Sequence, residues 1–260
     1  MRMIHPAAWA GLLFNVVLAF MLFHALEAMD LSKLEAAQQE AWEELKVLIL
    51  ETVRPFYLTL LLMQAVALFL IVRQMPLALP VAFMSGLLTI PIGFVYMLGS
   101  LLTYYRIKYA DFAAAPAGDA GARHIFPSFT LKKMQVFAGA NFAAFALLLL
   151  LGSFNIAVTF LALTLVGLYC TLRAGRNHAL VLYNDSLTLT PGLLSPKLLL
   201  PYSHITLAIL RENETIQFEV NTPGGLRSLI WPLLTVDPTQ RRQAIEELGA
   251  ALDARGVPLE

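Results

Sequence analysis

Five long stretches of this chain carry almost no charge, and the pattern changes character after residue 176. Residues 7–26, 56–72, 79–105, 134–152 and 154–172 are apolar nearly throughout. A bilayer core about 30 Å thick needs roughly 20 such residues of helix. The pattern predicts a multi-pass α-helical membrane protein with about five transmembrane helices. The run 79–105 is longer than a span requires and is interrupted by Pro91, which predicts a kink or a tilt. A re-entrant hairpin folded at Pro91 is the alternative, and it leaves backbone groups unsatisfied at the bend unless protein covers them. The turn Gly152-Ser153-Phe154-Asn155 leaves the last two runs no choice but an antiparallel hairpin.

Residues 29–56 have a different rhythm. Leu31, Leu34, Trp42, Leu45 and Leu48 recur at near-helical spacing, while Glu35, Glu40, Glu43 and Glu44 fill much of the remaining surface. This predicts an amphipathic helix running into the second span. Helices that lie on a membrane surface carry Lys and Arg on their polar face; this one is acidic, so packing against protein is expected instead.

Beyond Arg176 short alternating runs replace the apolar ones. ALVLY (179–183) and SLTLT (186–190) flank the turn Asn184-Asp185. KLLLPYSHITLAIL (197–210), TIQFEV (215–220) and LRSLIW (226–231) follow, separated by Arg211 to Glu214 and by NTPGG. The chain closes on an expected helix with Asp237 as N-cap, Pro238 at its first position and Gln240 at capping-box spacing. Ala244, Ile245, Leu248, Ala251 and Leu252 form its stripe, and Arg255, Gly256 and Pro258 mark its end. The result is an α+β domain of antiparallel strands capped by one helix.

That order, directly after a two-helix hairpin, resembles the pleckstrin-homology-like (PH-like) domains of bacterial membrane proteins, in particular the YcxB-like domains. NDSLTLTPGLL, LPYSHITLAIL, TIQFEV and the helix 238–254 carry the resemblance, which covers the last third of the chain and the preceding hairpin. It implies a bent sheet capped by a helix, a scaffolding or regulatory role, and no catalytic residues. The chain then divides into residues 1–55 (first span and acidic helix), 56–110 (transmembrane hairpin), 111–132 (an Ala/Gly/Pro-rich linker), 133–176 (second hairpin) and 177–260 (cytoplasmic PH-like domain).

Charge orients this picture. Lys and Arg concentrate on one side if the N-terminus lies outside and the C-terminal domain in the cytoplasm of a bacterial inner membrane. Arg2 ahead of the first run, with small residues at Ala25 and Ala28, also fits a cleaved signal peptide, although the run is longer than such a peptide usually carries. Only 14% of the 260 residues are charged and 58% are hydrophobic, far from the balance of a water-soluble domain. A formal net charge of zero gives no electrostatic case for nucleic acid. In residues 177–260, Asp and Glu outnumber Lys197, Arg211, Arg227, Arg241, Arg242 and Arg255, which argues against binding to anionic lipid.

Chemistry is sparse. The single cysteine, Cys170, sits in an apolar run, and the histidines show no zinc spacing. No cofactor and no metal site is expected. His24 and Glu27 fall three residues apart at the end of the first run, where they could share a proton, and Glu51 stands one turn from Arg54. Asn15, Gln64 and Asn141 are expected to pack inside the membrane as interhelical hydrogen-bond partners, with Gly139 and Ala143 as a close-approach surface. Tyr202, Trp231 and Leu233 are the candidate surface for a protein partner. The sequence therefore points first to a non-catalytic, membrane-anchored scaffold, assembly or accessory protein, with a protein partner and room for homo-oligomerisation. A small transporter or permease is the alternative, and a membrane enzyme using His24 and Glu27 is the third reading.

Overall fold

A computed structural model describes residues 4–32, 36–89, 93–115, 118–128, 130–176, 178–192, 194–212, 214–257 and 259–260. Arg2, Leu34, Glu35, Pro91, Asn213 and Pro258 lie outside the described residues. The chain folds as two units, Met1–Ile107 and Lys108–Glu260, and mixes long helices with antiparallel sheets.

The first unit is helical. Helix α1 spans Pro6–Glu27, started by the His5 side chain, which accepts from the Ala7 amide, and by Pro6 in the first turn. Helix α2 (Ala36–Leu48) runs through a π-turn, Ile49–Val53, into α3 (Arg54–Val72). Gln38–Val72 is one apolar-ended rod, as the amphipathic pattern expects, although Trp42, Leu45 and Leu48 on its stripe are exposed. Among the described residues three helices are long and apolar enough to cross a bilayer: Pro6–Glu27, Gln38–Val72 and Leu131–Leu150.

The run 79–105, expected as a kinked or tilted span or as a re-entrant hairpin, is not one continuous helix. It is two helices, α4 (Ala78–Leu87) and α5 (Gly93–Lys108). At 1.5 Å per residue α4 is only about 15 Å long. Contacts fix its path. Helix α1 runs antiparallel to α3, since Glu27 at its end pairs with Arg54 at the start of α3. It also runs antiparallel to α5, because the His5 amide donates to Thr103 Oγ1 and a Cβ on Gly11 or Gly99 would overlap the Tyr96 or Ala8 backbone. The end of α5 therefore lies level with the end of α3, where α4 begins. The end of α4 and the start of α5 both lie beside the middle of α1 and α3, near Asn15 and Gln64. Gly86 and Gly93 let the two helices meet there, where either Cβ would collide with the other helix.

The second unit interleaves a helical hairpin with two sheets. Helices α6 (Thr130–Leu150) and α7 (Phe154–Arg176) pack along their length. The first sheet has the order β1-β5-β4-β3-β2, from Ala113–Ala114, Leu198–Pro201, Ser186–Leu189, Leu180–Leu182 and His124–Phe126. The second has the order β6-β7-β8, from Ile205–Arg211, Thr215–Thr222 and Gly225–Pro232. In β7 the expected alternation is seen: Ile216, Phe218 and Val220 are buried, and the residues between them are not. Helix α8 (Arg241–Asp253) buries Ala244, Leu248 and Leu252 and lies against β3.

Two expectations change here. Residues 111–132 are not a bare linker: they supply β1 and β2, and Ile125 pairs with Val181 across the hairpin insertion. Strands of two and three residues are too short to register as a hydrophobic period. The closing helix begins at Arg241, later than expected, because Asp237 instead accepts from the Thr239 amide and hydroxyl and organises the preceding turn.

Candidate functional site

Three arrangements carry the polar chemistry. The first is a knot at the turn between α4 and α5. A helix leaves its last carbonyls without internal partners, and α4 ends deep among its neighbours. Gln64, fully buried on α3, donates through Nε2 to the Ser85 carbonyl at 3.2 Å and to Thr89 Oγ1 at 2.8 Å. Thr89 Oγ1 lies 3.2 Å and 3.1 Å from the Ser85 and Gly86 carbonyls and donates to that pair. Asn15 Nδ2 donates to Gln64 Oε1 at 3.1 Å, and Tyr96 donates to the Gln64 carbonyl at 2.6 Å. The knot is therefore the C-terminal cap of a short helix, built from neutral groups. Asn15 Oδ1 is buried without a partner.

The second is a cleft between α1 and α3, lined by Val16, Ala19, Phe20, Phe23, His24, Glu27, Arg54, Leu58 and Leu61. Its charged groups sit at one end. Arg54 pairs with Glu27 rather than with Glu51. The π-turn before α3 is the physical reason, since it breaks the regular one-turn spacing between Glu51 and Arg54. The His24 ring stacks on Phe20, 5.8 Å between centroids.

The third lies in the second unit. Asp119, between β1 and β2, accepts from Lys197 and from Tyr183 (3.0 Å), and its other oxygen is 3.2 Å from His178 Nε2. Burial pushes its carboxyl up, but the hydrogen bonds from Lys197 and Tyr183, with the charges of Lys197 and His178, outweigh that and leave it below the usual carboxylate range. This cluster pins the short β1–β2 segment to the sheets.

The remaining expected site residues fall as follows. Asn15 and Gln64 are brought together, whereas Asn141 donates within its own helix, to the Phe137 carbonyl. Gly139 and Ala143 are exposed, and a Cβ on Gly139 would meet nothing. The tight contact of α6 with α7 is one residue earlier, where Gly167 meets Ala138. Tyr202, Trp231 and Leu233 are core residues, each under 5% exposed, so they form no partner surface. The exposed apolar residues of the sheets are Ile125, Leu210, Leu226 and Ile230, with Leu234 just beyond β8. Sequence reasoning missed Ser85, Tyr96 and Asp119, because their roles depend on a turn and a strand pair that no local pattern announces. Among the described residues no group of three or more His, Cys, Asp or Glu is placed to hold a metal ion. Comparison of the chain with protein-family models, curated proteins and solved structures finds no match.

Proposed function

We propose that the chain is a membrane-anchored scaffold or accessory protein that presents a PH-like sheet module to a protein partner at the cytoplasmic face of a bacterial inner membrane. The membrane reading is supported by three long apolar helices and by large apolar side chains such as Phe20, Leu62, Val136 and Leu150, all more than 60% exposed on helices. In this reading the α4–α5 segment enters and leaves on one face, and the shorter apolar part of α7, Thr159–Arg173, makes a fourth crossing beside α1, α3 and α6. Both termini then share a side. That side gathers Arg73, Arg106, Lys108, Arg123, Lys132, Lys133, Arg173 and Arg176 against Lys33, Lys46 and Arg54, which favours the cytoplasm for both termini and the outside for the acidic rod. The N-terminus thus lies opposite to the position that five crossings imply. Single cysteines at Glu40 and Ser203, with Cys170→Ser, are expected to react and to resist, respectively, when intact cells meet an impermeant maleimide. Labelling at Ser203 with protection at Glu40 would reverse the orientation.

The observation that carries the scaffold reading is a difference between two edges. The outer edge of β6 is closed by the chain's own C-terminus: the Leu210 amide donates to the Glu260 carbonyl at 2.6 Å, and the Glu260 amide donates to the Ala208 carbonyl at 3.0 Å. At the opposite edge β8 is the last strand of its sheet and exposes Leu226 and Ile230. A long apolar edge is a template for an added strand. Anionic lipid is a poor competitor, because Asp and Glu outnumber Lys and Arg in residues 177–260. Affinity purification of the full chain in mild detergent is expected to bring a stoichiometric partner that Ile230→Lys releases without loss of the module's protease resistance. Identical partners with and without Ile230→Lys would sink the reading.

A further inference from the structure

We infer that the cleft between α1 and α3 binds a zwitterionic aminophospholipid, with part of one alkyl chain in the cleft and the headgroup on the Glu27–Arg54 pair. The inference rests on the membrane reading above. The cleft has a volume of about 230 Å³. It exists because Ala19 is small where α1 faces Leu61 on α3, while Phe20, Phe23, Val16 and Leu58 stand around the gap. Apolar along its length and charged only at its mouth, it has the polarity profile of an amphiphile.

The mouth decides which amphiphile. Glu27 and Arg54 are 46% and 43% exposed, so their ion pair leaves a carboxylate oxygen and several guanidinium N–H donors open to a further partner. A phosphate beside a primary ammonium is the complementary pair: phosphate on Arg54, ammonium on Glu27. A purely anionic headgroup meets the Glu27 carboxylate, and a quaternary ammonium has no N–H to give it. Lys46 adds a positive charge at that end, and Asp30 and Glu43, which line the same hollow as Lys46, offset it. Lys46 Nζ donates to the Glu27 and Met29 carbonyls at 3.1 and 3.3 Å, and the His24 ring stacks on Phe20.

The test uses the full chain in nanodiscs of equal phosphatidylethanolamine, phosphatidylcholine and phosphatidylglycerol, followed by extraction into mild detergent and native mass spectrometry of the lipid retained. About one phosphatidylethanolamine per chain is expected, in preference to the other two. Arg54→Gln and Glu27→Gln are each expected to cut that retention about tenfold, the loss of one charged hydrogen bond. Val16→Trp, at a position already 44% exposed, is expected to abolish it by filling the cleft while helical circular dichroism stays unchanged. Equal retention of all three lipids, or retention untouched by Val16→Trp and Arg54→Gln, would overturn the site and leave surrounding lipid only. Recovery of the chain in the aqueous fraction without detergent would overturn the membrane reading itself, a failure plainly different from the first.

Discussion

In the first unit the buried Gln64 meets Asn15, Ser85 and Thr89, none of which titrates, whereas in the second unit Asp119 meets Lys197, His178 and Tyr183. Both clusters hold an awkward piece of backbone, the end of a short helix in one case and a two-strand segment in the other. The difference in chemistry follows from what surrounds them. Asn15 and Gln64 are fully buried, and an ion pair there would carry a desolvation cost of several kcal/mol per charge. Asp119 keeps 15% of its side chain exposed and His178 keeps 31%, so water shares the charge and an ion pair costs far less. Neutral amides suit the dry site and charges the half-wet one.

The sharpest way to break this comparison is to remove Gln64. Gln64→Leu keeps the volume but strips a donor from the Ser85 carbonyl and an acceptor from Asn15. A stability loss of about 3 kcal/mol is expected, since more than one buried polar group loses its partner. Unfolding in mixed micelles by steric trapping measures it. The double change Asn15→Leu with Gln64→Leu separates two roles. If the amides only glue α1 to α3, removing both restores most of the loss, as paired apolar replacements do. If Gln64 caps α4, the double variant stays destabilised, because the Ser85 carbonyl then keeps only the bond it shares with the Gly86 carbonyl from Thr89 Oγ1. The second result is expected.

How far the sequence carried differs between the units for the same reason. Apolar runs at 7–26 and 56–72 and the alternation of Ile216, Phe218 and Val220 are local patterns, and each locates an element well. The polar residues inside the runs mark Asn15 and Gln64 as groups in need of partners. Their partners were hidden, because the reversal between α4 and α5 is decided by contacts between distant helices, not by period. An apolar helix running on through 79–105 and two shorter helices, α4 and α5, share the same hydropathy. Short strands are equally silent: Ala113–Ala114 and His124–Phe126 exist because β5 and β3 offer edges to them. Tyr202 and Trp231 misled for a related reason. Residues near strand ends look exposed until an adjoining turn and a closing helix cover them.

A smaller effect is expected at Asp119, and it sharpens the contrast through pH. Its carboxyl is held below its ordinary value in the folded chain, so the stability it provides is complete above the unfolded carboxylate pKa of about 4. That stability is lost as the pH falls through the lower, folded value. Asp119→Asn is therefore expected to flatten the acid limb of the unfolding profile below about pH 4 while leaving the Tyr183 contact a polar partner. At neutral pH Asp119→Ala is expected to cost about 1 to 2 kcal/mol, less than a fully buried pair, because the site is partly wet and screened. Lys197, 10% exposed, is the group left uncompensated. The loss should appear in hydrogen exchange of the β1–β2 segment before it appears in the core of the sheet, since β1 and β2 are the two edge strands of that sheet. Near-neutral pH also leaves Gln64→Leu untouched by protonation, so its cost is expected to be flat where that of Asp119→Ala shrinks with acid. Parallel pH profiles for the two variants would mean that the clusters do not differ in the way their chemistry requires.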